Sequence, residues 1–187
     1  MKHGKRILGL VGVAVGLIFV VLLSGCGNSV AQQEKEYKAQ WTQVMDKFEV
    51  RVTSDDKTAN DLAGKNDIVG LRSLINSRET SVSDVLAQVL KLDPPEKYQR
   101  VQITTLYYLM ALEDQLKAQN DVNDAVLAGN PTTDLKTISD GYTKRAQGSG
   151  QELALELKKA DMTIGTGGTP KSSTPKSSTP TSTTPSK

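Results

Sequence analysis

The sequence predicts an all-α protein, an antiparallel up-down-up-down four-helix bundle followed by a disordered C-terminal tail. Three observations predict it. Apolar residues recur at three- and four-residue steps from residue 31 to 162, with almost no strand-like alternation. Turn signals at Gly64-Lys65-Asn66-Asp67, Asp93-Pro94-Pro95-Glu96 and Gly129-Asn130-Pro131 cut that stretch into four. Short links between long amphipathic helices favour antiparallel neighbours.

The first helix places Trp41, Val44, Phe48, Val52, Ala59 and Leu62 on one stripe. Asp55 interrupts it, and Ser54-Asp55-Asp56 reads as a local break with Ser54 capping a short continuation. Gly64 reads as the end signal, with Asn66 or Asp67 capping the next helix. The second helix is the most regular: Ile68, Leu71, Ile75, Arg78, Val82, Val85, Val89 and Leu92 keep a 3-4 spacing, with Arg78 the one polar intruder.

Pro94 and Pro95 stop that helix because neither offers an amide donor, and Pro95 suits the first turn of the third. The third helix, from about Glu96 to Ala128, carries Tyr98, Val101, Thr105, Tyr108, Leu109, Leu112, Leu116, Val122 and Val126, which leaves Tyr107 on the outer face. Thr132 or Thr133 caps a fourth helix with Leu135, Ile138, Tyr142, Ala146, Leu153 and Leu157. Its glycines at 141, 148 and 150 weaken it or allow close helix approach. Four alternating helices would return the chain to its starting end, with the links near Gly64 and Gly129 at the opposite, outer tip.

Ahead of the bundle, Lys2, Lys5 and Arg6 precede an apolar run of 17 residues, Ile7 to Leu23. That is long for a signal-peptide core and slightly short for a membrane helix, so an uncleaved anchor with its basic end in the cytoplasm is the competing reading. Leu23-Ser24-Gly25-Cys26 closes the run, and Cys26 is the chain's only cysteine. This arrangement resembles the lipobox of bacterial lipoprotein signal peptides. The resemblance implies that the leader is cut between Gly25 and Cys26 and that Cys26 is diacylated. Two acyl chains hold a protein firmly at a membrane where one binds reversibly. Gly27, not an aspartate, follows Cys26. The family's usual inner-membrane retention signal is therefore absent, which leaves the outer membrane open to it in a two-membrane envelope. The implied organisation is a signal peptide at 1–25, a lipidated tether at 26–30, the bundle at 31–162 and the tail at 163–187.

Composition narrows function further. The chain has 23 Lys+Arg and 21 Asp+Glu; without Lys2, Lys5 and Arg6 the balance is 20 against 21. Setting aside Lys171, Lys176 and Lys187 of the tail leaves 17 against 21 for residues 27–162, a net −4. An acidic body argues against nucleic-acid binding. The only histidine, His3, falls in the leader, so the mature chain would have neither histidine nor free thiol. Most nucleophile–base pairs, zinc sites and haem or diiron ligation are excluded, and no enzyme activity, metal or cofactor is expected. The tail repeats Lys-Ser-Ser-Thr-Pro at 171–175 and 176–180 and has no apolar residue beyond Ile164.

Two polar residues stand on apolar stripes, Asp55 and Arg78. They are expected to pair across the first two helices and fix their register, with contact to a ligand anion as the alternative role for Arg78. The expected function is that of a lipid-anchored binding or structural protein on the extracytoplasmic face of the cell membrane, held through Cys26 and offering its bundle to an envelope protein. The alternatives are a bundle that senses a small anion or amino acid and, by analogy alone, a lipoprotein that blocks phage superinfection.

Overall fold

The computed structural model describes residues 29–164. Cys26, Gly25, the leader and nearly all of the Ser/Thr/Pro/Lys-rich tail lie outside the described residues. Those described form a helical bundle of α1 (Val30–Gly64), α2 (Ile68–Val89), α3 (Gln99–Leu127) and α4 (Thr133–Lys159), with a 3-10 turn at Glu96–Tyr98 leading into α3. No strand occurs among the described residues.

Local chemistry explains the boundaries. Ser29 caps α1 by accepting from the Gln32 amide, so the helix opens one residue earlier than the sequence pattern suggested. α1 then runs 35 residues, about 52 Å, straight through Ser54-Asp55-Asp56. The expected break there does not form; Ser54 contributes its carbonyl, which accepts from Thr58 Oγ1 at 3.2 Å. Gly64 is an ordinary helical residue. The reversal falls on Asn66, whose φ of 54° lets the Asp67 amide reach the Leu62 carbonyl at 2.9 Å. Gly129 (φ 69°) and Asp161 (φ 54°) close α3 and α4 in the same left-handed way. Asp67 caps α2 through Gly70 N. Gly70 has a spatial reason: a Cβ there would lie 2.6 Å from Asp67 Oδ2 and 2.7 Å from Leu62 Cδ2. Thr132 occupies the cap position of α4, but its side chain makes no capping bond.

Cross-helix contacts set the directions. Asp124 pairs with Arg72 and Asn120 with Asn76, so α2 and α3 run in opposite senses. Asp114 pairs with Arg145 while the Tyr108 ring lies where a Cβ on Gly150 would meet it at 3.2 Å, which opposes α3 and α4. Arg51 donates to Ser77 Oγ and Leu62 approaches Gly70, which opposes α1 and α2. Trp41 and Tyr37 bond Thr105 and Gln102 in ascending order, so α1 and α3 are parallel. The start of α1 therefore meets the end of α4, where Lys38 Nζ donates to the Asp161 carbonyl. Glu34 also reaches Lys97 at 3.0 Å, beside the Pro94-Pro95 link. We term this end the base and the end with Asn66 and Gly129 the tip.

The seam between α3 and α4 is made mostly of small side chains. Thr104, Ala111, Ala118 and Ala125 recur every seven residues on α3, and Ser139, Ala146 and Leu153 do so on α4 with Ala160 at its C-cap; all eight are buried. Small residues at heptad spacing let two helices approach closely along a line. The three glycines of α4 do not interrupt it. Gly150 gives room to the Tyr108 ring, whereas a Cβ at Gly141 or Gly148 would meet nothing within 4 Å. Gly141→Ala and Gly148→Ala should each stabilise the protein by about 1 kcal/mol, through helix propensity alone, as measured by urea denaturation. Either one lowering the midpoint would contradict that account.

The core is unevenly distributed. Trp41, Met45, Val89, Val101, Thr105 and Leu109 are all but inaccessible, and all six belong to the basal half. Tyr37 and Met45, absent from the stripe read in the sequence, are buried with them. At the tip the expected stripe fails: Val126 is 42% and Ile138 52% exposed. Ala125 and Ser139 face inward instead, because the tight small-residue seam fixes how α3 and α4 are rotated.

Candidate functional site

Among the residues singled out by the sequence, the structure brings Asp55 and Arg78 together. Arg78 occupies its stripe position in α2, between Ile75 and Val82. Its Nη2 donates to Asp56 Oδ1 at 2.7 Å, and its Nε lies 3.6 Å from Asp55 Oδ2 with no hydrogen-bond partner. The Arg78 and Asp55 side chains are each 18% exposed and that of Asp56 is 40% exposed. The expected ion pair thus exists, but the shorter contact is with Asp56, which does not stand on the apolar stripe. The unbroken helix explains this. With 54–56 helical, Asp55 stands on the stripe and Asp56 beside it, and a planar guanidinium spans both. Two carboxylates around one cation leave a local net charge of −1, so a further anion would meet repulsion. Arg78 is a clasp between α1 and α2 and is not an open anion contact.

Tyr108 borders this cluster. Burial, then the carboxylates of Asp56 and Glu49, hold its phenol above the ordinary tyrosine value. At the base, burial with a contribution from Tyr98 pushes Tyr37 well above that value. Tyr37 OH donates to Gln102 Oε1 at 3.0 Å, and Gln102 Nε2 donates to the Leu92 carbonyl at 2.9 Å. That relay joins α1, α3 and the proline link without leaving a buried polar atom unpaired. Tyr37 and Tyr98 stack at 5.3 Å.

Both phenols hold their protons more tightly folded than unfolded. The stability they contribute is complete below about pH 10, the ordinary tyrosine pKa, and is lost as pH rises beyond it. Urea midpoints should therefore fall above about pH 10, and Tyr37→Phe should flatten that fall while lowering the neutral-pH midpoint. An unchanged alkaline slope in Tyr37→Phe would contradict it.

Tyr107, expected outside, is 62% exposed. With Ile103 and Met110 it forms a short apolar stripe on the outer face of α3. Trp41 is core: it is fully buried and its Nε1 donates to Thr105 Oγ1 at 3.1 Å. A polar groove along α2 gathers Glu79, Asp84 and Glu113, but Glu113 already accepts from Lys117 Nζ at 2.7 Å. Among the described residues no group of three or more His, Cys, Asp or Glu side chains could hold a metal ion. No helix among them is long and apolar enough to cross a membrane.

The fold and its polar clusters define the class, a four-helix bundle with a close-packed base. Comparison with protein-family models, with curated proteins and with solved structures finds no match to this chain.

Proposed function

We propose that this chain is a lipid-anchored, non-catalytic binding or structural protein of the bacterial cell envelope. It is held at the extracytoplasmic face of the membrane through lipid on Cys26 and presents its bundle to a protein partner. One observation carries the reading: packing is concentrated at the base, where the chain enters and leaves the bundle, while Val69, Val126, Leu127 and Ile138 are left 42–66% exposed at the tip. Val30, Leu90 and Leu155 are equally exposed toward the base, but there they overlie the closed core, whereas the tip holds none of the fully inaccessible side chains and so leaves its aliphatics open to a partner. The Leu23-Ser24-Gly25-Cys26 motif supplies the anchor, and the helical rod holds the tip away from the bilayer.

Metabolic labelling with an alkyne fatty acid tests the anchor. The wild-type chain should take up label and fractionate with membranes, and Cys26→Ala should do neither. Label retained in Cys26→Ala would overturn the lipoprotein assignment.

A further inference from the structure

The outer face of α3 carries a second apolar stripe, turned away from the one that joins the core. Ile103, Tyr107 and Met110 succeed one another at four- and three-residue steps and are 43%, 62% and 50% exposed. A narrow 3-4 repeat of this kind is the seam pattern of a two-helix contact. The same steps continue into charge on both sides. Arg100 and Glu96 follow toward the base, and Asp114 and Lys117 toward the tip, with Asp114 half-buried and the others exposed.

From base to tip the face therefore runs minus, plus, three apolar side chains, minus, plus. That order complements itself in one direction only. Turned end over end about Tyr107, it sets Ile103 against Met110, Arg100 against Asp114 and Glu96 against Lys117 of a second copy. In a parallel pair each of these charges would face its own kind, which opposes association. Within one copy Arg100 already lies 3.9 Å from Glu152, and Asp114 lies 3.2 Å from Arg145. An Arg100–Asp114 contact between copies joins those two pairs into one row of alternating sign.

Gly148 borders the same stripe. It stands three residues from Arg145 and four from Glu152, on the face of α4 that reaches across to α3. The contacts of Asp114 with Arg145 and of Tyr108 beside Gly150 set it level with Met110. A Cβ at Gly148 would meet nothing within 4 Å, so no neighbour in its own chain requires the missing side chain. A second helix laid along the stripe would occupy that space.

We infer that this face is an isologous, antiparallel contact between two copies of the chain, with Tyr107 on the two-fold axis. The axis crosses α3 eight residues from its start at Gln99, so the copies overlap by their basal halves. Their tips project from opposite ends of the pair and stay uncovered. The pairing goes beyond the display reading proposed above and does not depend on it. One helix face makes a contact at the small end of specific interfaces, roughly under 1,200 Å² in total, and such pairs are transient. Covalent capture is therefore the suitable readout.

The full-length chain in bacterial membranes, oxidised with copper phenanthroline, provides the test, with the wild-type chain and its lone Cys26 as background. Tyr107→Cys should yield a disulfide-linked dimer. Ile103→Cys and Met110→Cys should each yield at least about fivefold less alone, because their own counterparts lie about 9–12 Å away along the axis, beyond disulfide reach. Co-expressed, those two variants should link to each other. Adding Arg100→Asp to Tyr107→Cys should cut capture at least about fivefold, and further adding Asp114→Arg should recover it. Self-capture at position 103 or 110 as strong as at 107 would indicate a parallel pair or random collision and overturn the inference. So would capture indifferent to Arg100→Asp, or not recovered by Asp114→Arg. No dimer above background from any variant would overturn it as well and leave the display reading standing.

Discussion

Trp41→Ala should be the most destabilising single substitution in the bundle, costing about 3–5 kcal/mol. The indole is fully buried and surrounded by the basal cluster of Tyr37, Met45, Val89, Val101 and Leu109. Its removal leaves a large void among side chains that belong to three helices and cannot all collapse into it. Thr105 would suffer less, because its hydroxyl also donates to the Val101 carbonyl at 2.7 Å. Domains of this size are stable by roughly 5–15 kcal/mol, so the loss is a large share of the total. Urea denaturation followed by far-ultraviolet circular dichroism measures it. A loss below about 1 kcal/mol would mean that the basal core does not dominate stability. Phe48→Ala, at the upper edge of the same core and 6% exposed, should cost less than Trp41→Ala.

Arg78→Ala should rank next, at about 2–3 kcal/mol, below the cost of breaking a fully buried pair because all three side chains retain some solvent contact. It leaves Asp55 and Asp56 side by side without a cation. The informative comparison is the double replacement Arg78→Leu with Asp55→Leu. Both positions lie on apolar stripes, and a hydrophobic pair there should restore wild-type stability or exceed it by about 1 kcal/mol. That outcome would mark the clasp as a device for register between α1 and α2 and not a source of net stability. A double variant as unstable as Arg78→Ala would show that the charges themselves hold the helices together. Denaturation of the wild-type, single and double variants closes the cycle.

Much of the fold was legible in the sequence for a simple reason. α2 is nearly pure 3-4 repeat, and neither its seven stripe positions nor Leu92 just beyond it is exposed in the structure. The links at Asn66-Asp67, Pro94-Pro95 and Gly129 carry residues whose backbone preferences leave few alternatives. Where expectation failed, it failed for want of partner geometry. Asp55 on an apolar stripe suggested both a local break and a partner in Arg78; the partner is there, the break is not, and the share that Asp56 takes in the guanidinium depends on helix rotation that no local pattern shows. Val126 and Ile138 fit a helical period drawn from large residues only. The small residues at 104, 111, 118 and 125, and at 139, 146 and 160 with Leu153 between, also keep a period of seven. Reading alanine and serine as seam formers would have rotated both helices correctly and exposed those two aliphatics at the outset.

The unequal packing also gives the two ends of one rod different free-energy scales for opening. Separating helices at the base exposes Trp41, Leu109 and their neighbours together, and so approaches the cost of global unfolding. Spreading them at the tip exposes alanines and aliphatics that are for the most part only partly buried, such as Leu62, Leu71 and Val122, and breaks surface ion pairs such as Arg72–Asp124 that contribute little. Helix ends near Asn66 and Gly129 can therefore part and re-form while the base stays closed. Thermal excursions are thereby confined to the half of the bundle farthest from Ser29 and Ile164, the two ends of the described chain.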